Sequence, residues 1–186
     1  MLKYLAFDVL GTLIDLSSAD RADLIAYADK IKPWRTRSEL PQDWSPLELP
    51  EAWAELPPFP DSAAAMDRLR ALGFRCVTLS NAPVALQEQM LDRAGIVVDW
   101  IVPIECSRAY KPDVGRRRPY QYACGSIGGT PHECAMITGN RTFGDLEAAA
   151  EIGMKPILIR DPQSAFGDLA ALADEFERNP NYGSVS

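Results

Sequence analysis

The sequence predicts an α/β domain built on a doubly wound parallel sheet of about five strands. Two observations lead there. Short runs rich in β-branched and aromatic residues recur along the chain, each nearly continuous in apolar residues, as strands covered on both faces are. Between them lie helix-period segments, and strand–helix alternation at this spacing selects parallel strands joined by right-handed crossovers.

The strand candidates, in order, are 3–9 (KYLAFDV), 75–80 (RCVTLS), 99–104 (DWIVPI), 134–138 (CAMIT) and 155–160 (KPILIR). The segment 61–73 (DSAAAMDRLRALG) opens on Asp-Ser and stops at Gly, and 83–95 (PVALQEQMLDRAG) repeats that logic as a second helix. Residues 118–129 (RPYQYACGSIGG) carry a weaker helical pattern and 143–153 (FGDLEAAAEIG) a stronger one. The last dozen residues (EFERNPNYGSVS) read as a frayed end.

Residues 16–60 break the rhythm. One helix-like stretch (ADRADLIAYADKI) leads into a passage where six prolines fall between Pro41 and Pro60, which rules against long regular helices. Trp34, Trp44 and Trp53 are too many large aromatics for a plain linker. The expected organisation is a core of residues 1–15 and 58–186 and a small lid of residues 16–57 folded over the strand ends.

A chain of 186 residues suits one domain with a full core. Lys and Arg number 19 against 26 Asp and Glu, a net charge of -7 that argues against nucleic acid or an acidic membrane surface as partner. Cys76, Cys106, Cys124 and Cys134 form no C-x-x-C pair, and Cys76, Cys124 and Cys134 sit among apolar neighbours as reduced packing residues. No apolar run approaches the roughly twenty residues that span a bilayer. The chain opens directly in a strand rather than a signal peptide, so a cytoplasmic location is expected.

Doubly wound sheets bind ligands beyond the carboxyl ends of their strands. Four separated pieces fall there. Asp8 ends an apolar strand and is followed by Gly11 and Thr12, the glycine allowing a tight backbone that an anion can approach. Ser80 and Asn81 (LSNA, 79–82) end the second strand and lead into a helix N-terminus suited to an anion. Lys111 (AYKPD, 109–113) is pinned by a following proline. Asn140 and Asp145 lie in ITGNRTFGDLEAAAEIGM (137–154), a strand, a turn and a helix. The simpler role for Ser80 and Asn81 is helix capping.

The order and spacing of these four motifs resemble the haloacid dehalogenase (HAD) superfamily, whose members use an aspartate nucleophile on a Rossmann-like sheet. The likeness covers nearly the whole chain outside 16–57. It implies Asp8 as nucleophile, Ser80 and Lys111 as holders of the anionic group, and Asn140 with Asp145 as the acidic loop. In phosphatase members the backbone carbonyl at Leu10 would be a metal ligand. The chemistry suits these residues: a carboxylate attacking phosphorus or carbon forms a covalent intermediate and splits one hard step into two. Lys111 would neutralise charge on the nucleophile and the transferring group. Mg²⁺ prefers oxygen ligands, so Asp8, Asp145 and the amide oxygen of Asn140 could share one ion.

Two departures from the phosphatase pattern stand out. Phosphatases of the superfamily usually carry a second aspartate two residues after the nucleophile, to protonate the leaving oxygen; Leu10 stands there. Losing a general acid costs about 10²–10⁴-fold in rate, least where the leaving group is acidic. The dehalogenase branch lacks that acid too, since halide leaves without a proton, and FDVLGTLID, AYKPD and EAWAELPPFPD are similar to that branch. The acidic loop reads Gly139-Asn140 then Asp145, with phosphatase-like spacing but one carboxylate fewer, which weakens Mg²⁺ binding.

The lid is short for a dehalogenase cap, which supplies an arginine; Arg35 and Arg37, beside Trp34, are the stand-ins. A short lid leaves the site open to a large substrate or to cover by a second copy in a homodimer. The run GRRRP (115–119) reads as a solvated loop and His132, the sole histidine, as a loop residue. The leading expectation is a Mg²⁺-dependent hydrolase of a small phosphate-containing, anionic substrate. The alternatives are a metal-independent hydrolase like the 2-haloacid dehalogenases and a catalytically weak relative acting as a binding module.

Overall fold

The computed structural model describes residues 1–31, 48–102, 117–141, 144–179 and 182. Five parallel strands form one sheet: β1 (Tyr4–Phe7), β2 (Arg75–Leu79), β3 (Trp100–Val102), β4 (Cys134–Thr138) and β5 (Lys155–Leu158), in the order β3-β2-β1-β4-β5. The helices are α1 (Arg21–Ile31), α2 (Ser62–Ala71), α3 (Val84–Ala94), α4 (Arg117–Ser126), α5 (Asp145–Ile152) and α6 (Leu169–Arg178). The doubly wound parallel sheet expected from the sequence is what the chain forms.

Alternation along the strands builds two core layers. Leu5 and Phe7 of β1 and Ala135 and Ile137 of β4 face one layer, with Leu69 of α2 and Leu172 and Phe176 of α6. Ala6, Cys134 and Met136 face the other, with Tyr120 and Ala123 of α4 and Ala149 of α5. Successive strand side chains point to opposite faces, so a strand buried on both must be apolar throughout. That holds for β1, while β2 and β4 each bury one threonine, Thr78 and Thr138, whose hydroxyl is hydrogen-bonded, and the edges depart further. Trp100 of β3 is half exposed, and Pro156, which cannot donate a ladder bond, is exposed in β5.

The helix stops follow the sequence signals. Gly95 after α3 and Gly153 after α5 adopt left-handed backbone, and each returns its N–H to the last turn. Within the segment expected to form a lid, the described residues form α1 and a short 3₁₀ turn, Glu51–Glu55, in keeping with its prolines. Trp34, Arg35, Arg37, Trp44, Cys106 and Lys111 lie outside the described residues. Cys76, Cys124 and Cys134 are free and buried, and burial first, with the Asp99 charge, pushes the Cys76 thiol up to about 12. No helix among the described residues is long and apolar enough to cross a membrane.

The frayed C-terminus needs correction. Glu175–Arg178 complete α6, and Phe176 is fully buried. Beyond the helix, Tyr182 packs edge-on against Phe166 and Phe176, with ring centroids 5.8 and 5.3 Å apart. Two aromatics outweigh the polar residues around them, because burying each removes a large apolar surface from water.

The strand order reverses between β1 and β4, since the chain builds outward through β2 and β3 on one side and through β5 on the other. Loops leaving β1 and β4 therefore diverge and open a crevice at their carboxyl ends. Asp8 directly follows β1, and Gly139 and Asn140 directly follow β4.

Candidate active site

Asp8 continues the ladder past β1, its N–H donating to Ile137 O at 2.9 Å. Register pairs Phe7 with Thr78 and with Ile137, so one step on Asp8 lies level with Leu79 and Thr138, at the switch point. The side chain is buried, and its Oδ1 accepts the Val9 N–H at 2.8 Å. The loop that follows is wound around one carbonyl: the N–H groups of Thr12, Leu13 and Ile14 all donate to Val9 O. Gly11 supplies the left-handed backbone (φ 78°) this turn requires.

Thr12 ties the loop after β1 to the loop after β4. Its hydroxyl lies 3.5 Å from Asp8 Oδ2 and accepts the Gly139 N–H at 2.8 Å. The two backbones touch: a Cβ on Gly139 would stand 2.1 Å from Gly11 O. Only glycine permits that approach, and it brings Asn140 to the site. The Asn140 N–H donates to Thr138 Oγ1 at 3.1 Å, which fixes the turn and leaves the residue half-buried.

Ser80 is buried at the end of β2, where its hydroxyl accepts the Ala82 N–H at 3.4 Å. It does not cap α3, whose N-cap is Pro83 and which has no side-chain cap. The Ser80–Ala82 turn is held from below by Gln87: Thr78 Oγ1 donates to Gln87 Oε1 at 2.7 Å, and Gln87 Nε2 donates to Ala82 O at 2.6 Å. The readable signal for Gln87 is its place one turn after Val84, on the face α3 turns to the sheet.

Asp145 is the first residue of α5 and is buried. Tyr120 of α4 donates its hydroxyl to Asp145 Oδ1 at 2.6 Å, a short charge-assisted bond. Tyr120 was not singled out in the sequence, because its 25-residue separation from Asp145 closes only when α4 packs on α5.

The position two residues after Asp8 is apolar in structure as in sequence. Leu10 is 2% exposed and packs in one cluster with Val9, Ile14, Tyr27, Trp53, Ala82 and Met90. Trp53 meets Tyr27 edge-on at 5.4 Å. Its Nε1–H is buried with no partner among the described residues.

Among the described residues, no three of His, Cys, Asp and Glu gather into a group that could hold a metal ion, and Asp145 is already bonded to Tyr120. The expected Mg²⁺ set of Asp8, the Leu10 carbonyl, Asn140 and Asp145 is all oxygen and offers two carboxylates, of which Asp145 also accepts the Tyr120 hydroxyl. His132 sits in a 3₁₀ turn before β4, at the opposite end of the sheet from Asp8, with its ring against Gly153.

A family model for haloacid dehalogenase-like hydrolases matches residues 30–153. The (S)-2-haloacid dehalogenase 4A of Burkholderia cepacia is 32% identical over 116 residues, which are 60% of this chain and 47% of that protein. The chain thus spans about half the length of the curated relatives it matches. A defluorinating L-2-haloacid dehalogenase superposes with a TM-score of 0.72 at 21% identity, covering 95% of each chain. The L-2-haloacid dehalogenase of Xanthobacter autotrophicus, with chloropropionic acid covalently bound, superposes with a TM-score of 0.62 at 22% identity, covering 96% of this chain and 84% of that one. These two likenesses speak for the fold.

Proposed function

The chain belongs to the haloacid dehalogenase-like hydrolases, and within that family we propose that it hydrolyses the carbon–halogen bond of a short 2-haloacid, with Asp8 as nucleophile and no metal. The buried Leu10 carries this reading. Phosphoryl transfer to an alkoxide leaving group calls for a proton donor near the nucleophile, and that place is filled by carbon. Halide departs as a stable anion and needs no proton. The names of the relatives favour the same alternative over the expected phosphatase.

In this reading a carboxylate oxygen of Asp8 attacks the halogen-bearing carbon, the carbon–halogen electron pair leaves with the halide, and an ester joins substrate to Asp8. Water then adds to the ester carbonyl and releases the 2-hydroxyacid. The Val9 N–H on Oδ1 and the Thr12 hydroxyl near Oδ2 orient the carboxylate. We assign Asp145 to accept the proton of the attacking water, held in place by Tyr120. Ser80, Asn81 and Lys111 are assigned to the substrate carboxylate and Asn140 to the departing halide. The apolar cluster around Leu10 excludes water from one flank.

The test measures halide release from both enantiomers of 2-chloropropionate with and without EDTA, beside an aryl phosphate with and without Mg²⁺. Halide release indifferent to EDTA, reduced at least about 10³-fold by Asp8→Asn, is the expected outcome. Phosphate release that requires Mg²⁺, with no halide release, would overturn the proposal.

A further inference from the structure

Arg160 has the one non-glycine left-handed backbone among the described residues, φ 60°. Any residue with a Cβ is strained there, so the fold must hold it in place. The side chain is 11% exposed, and its guanidinium lies 3.8 Å from the centre of the Phe59 ring. Its Nε donates to the Thr12 carbonyl at 3.0 Å, while Nη2 donates to Asp61 Oδ1 at 2.7 Å and lies 3.4 Å from Ser62 Oγ. Asp61 is anchored in turn, its Oδ2 accepting the Leu169 and Ala170 N–H groups at 2.7 and 3.2 Å. Ser62 Oγ donates to Leu13 O at 2.9 Å, one residue from the same target.

The planar fork thus spans two bodies. One arm is fixed to the starts of α2 and α6; the other grips the peptide of the residue whose hydroxyl stands between Asp8 Oδ2 and the Gly139 N–H. The grip on Thr12 O restrains the peptide of the same residue whose hydroxyl meets Asp8 and the Gly139 N–H.

We infer that Arg160 is a positioning residue for the nucleophile: acting through the Thr12 carbonyl, it sets the Thr12 hydroxyl against Asp8 and against the loop carrying Asn140. Its left-handed backbone is what lets a residue just beyond β5 turn back under the loop after β1. The inference rests on the halide-releasing reading for its kinetic consequences only.

The test uses Arg160→Gln, Thr12→Val and the double variant in the full chain. In Arg160→Gln, kcat for halide release from 2-chloropropionate should fall about tenfold, with KM within about threefold of wild type. In the Thr12→Val background the same change should cost less than about threefold, because the hydroxyl it positions is gone. Independently of any substrate, exchange of the Gly139 amide hydrogen by NMR should quicken at least about tenfold in Arg160→Gln while β1 amides keep their protection. Full multiplicativity of the two kinetic effects, or an unchanged Gly139 amide, would overturn the inference. If wild type releases no halide, the dehalogenase reading falls and Gly139 exchange alone decides the role of Arg160. Should Arg160→Gln fail to fold, Asp61→Asn, which loosens the anchor but keeps the guanidinium, should show the same pattern in weaker form, and its absence counts against the inference.

Discussion

The two flanks of the Asp8 loop are built from opposite materials. Toward α1 and the Glu51–Glu55 turn, Leu10 and Ile14 join Tyr27, Trp53, Ala82 and Met90 in a layer whose one buried indole N–H has no partner among the described residues. Toward β4, Thr12, Gly139 and Asn140 are tied by hydrogen bonds, with the Tyr120–Asp145 bond beside them and Arg160 beneath. The polar flank restrains the Asp8 carboxylate and carries a second carboxylate, Asp145; the apolar flank supplies no proton donor. Such a division suits displacement of an anion by an oriented carboxylate better than transfer to a group that must be protonated.

The sharpest way to break this contrast is Leu10→Asp. It puts an unpaired carboxyl into the apolar layer and should lower stability by about 3 kcal/mol, read as a Tm drop of about 6–12 °C. It should bring no gain in alkyl phosphate hydrolysis. A gain would show that the site is a phosphatase missing only its acid.

On the polar flank, Tyr120→Phe removes a 2.6 Å donor from Asp145 while keeping the ring in the core. We expect kcat for halide release to fall about tenfold and stability by about 1–2 kcal/mol, measured by steady-state kinetics and urea unfolding. If activity is retained, Asp145 does not serve the water.

The foundation of that flank can be probed with acid. Burial raises the Asp61 carboxyl, but the Arg160 hydrogen bond and charge, with the Leu169 amide, outweigh it and hold its pKa below the ordinary value. A carboxyl depressed on folding stabilises above its unfolded pKa of about 3.9 and loses that contribution as pH falls through the folded value. Thermal unfolding from pH 6 to pH 2 should therefore show the gap between wild type and Asp61→Asn constant above about pH 5 and narrowing below about pH 4. A constant gap down to pH 2 would mean that the Arg160–Asp61 pair contributes no pH-dependent stability.

The smallest effect is expected where the contrast is purest. Trp53→Phe gives up ring contacts but also removes a buried N–H without a described partner. Relief of that desolvation offsets the lost packing, leaving Tm within about 4 °C of wild type. A larger loss would mean that the indole N–H is bonded in solution.

Much of this was legible in the residues alone. The apolar runs ending near Asp8, Ser80 and Asn140, alternating with helix-period segments, pointed to the sheet and its parallel sense. Local pattern suffices there because burial on both faces forces a strand to be apolar, and a crossover helix must follow it. Leu10 was likewise readable as the residue that parts the phosphatase pattern from the dehalogenase one. Tyr120, Gln87 and Arg160 were not. Each acts on a residue that packing alone brings near: Asp145 across α4 and α5, Ala82 beneath the β2 turn, and Thr12 from 148 positions away. A side chain's type and neighbours along the chain carry no record of such partners. The sequence by itself determined which carboxylate stands at the strand end. Only the tertiary structure decided what holds it still, because orientation is set by contacts between loops that meet when the sheet closes.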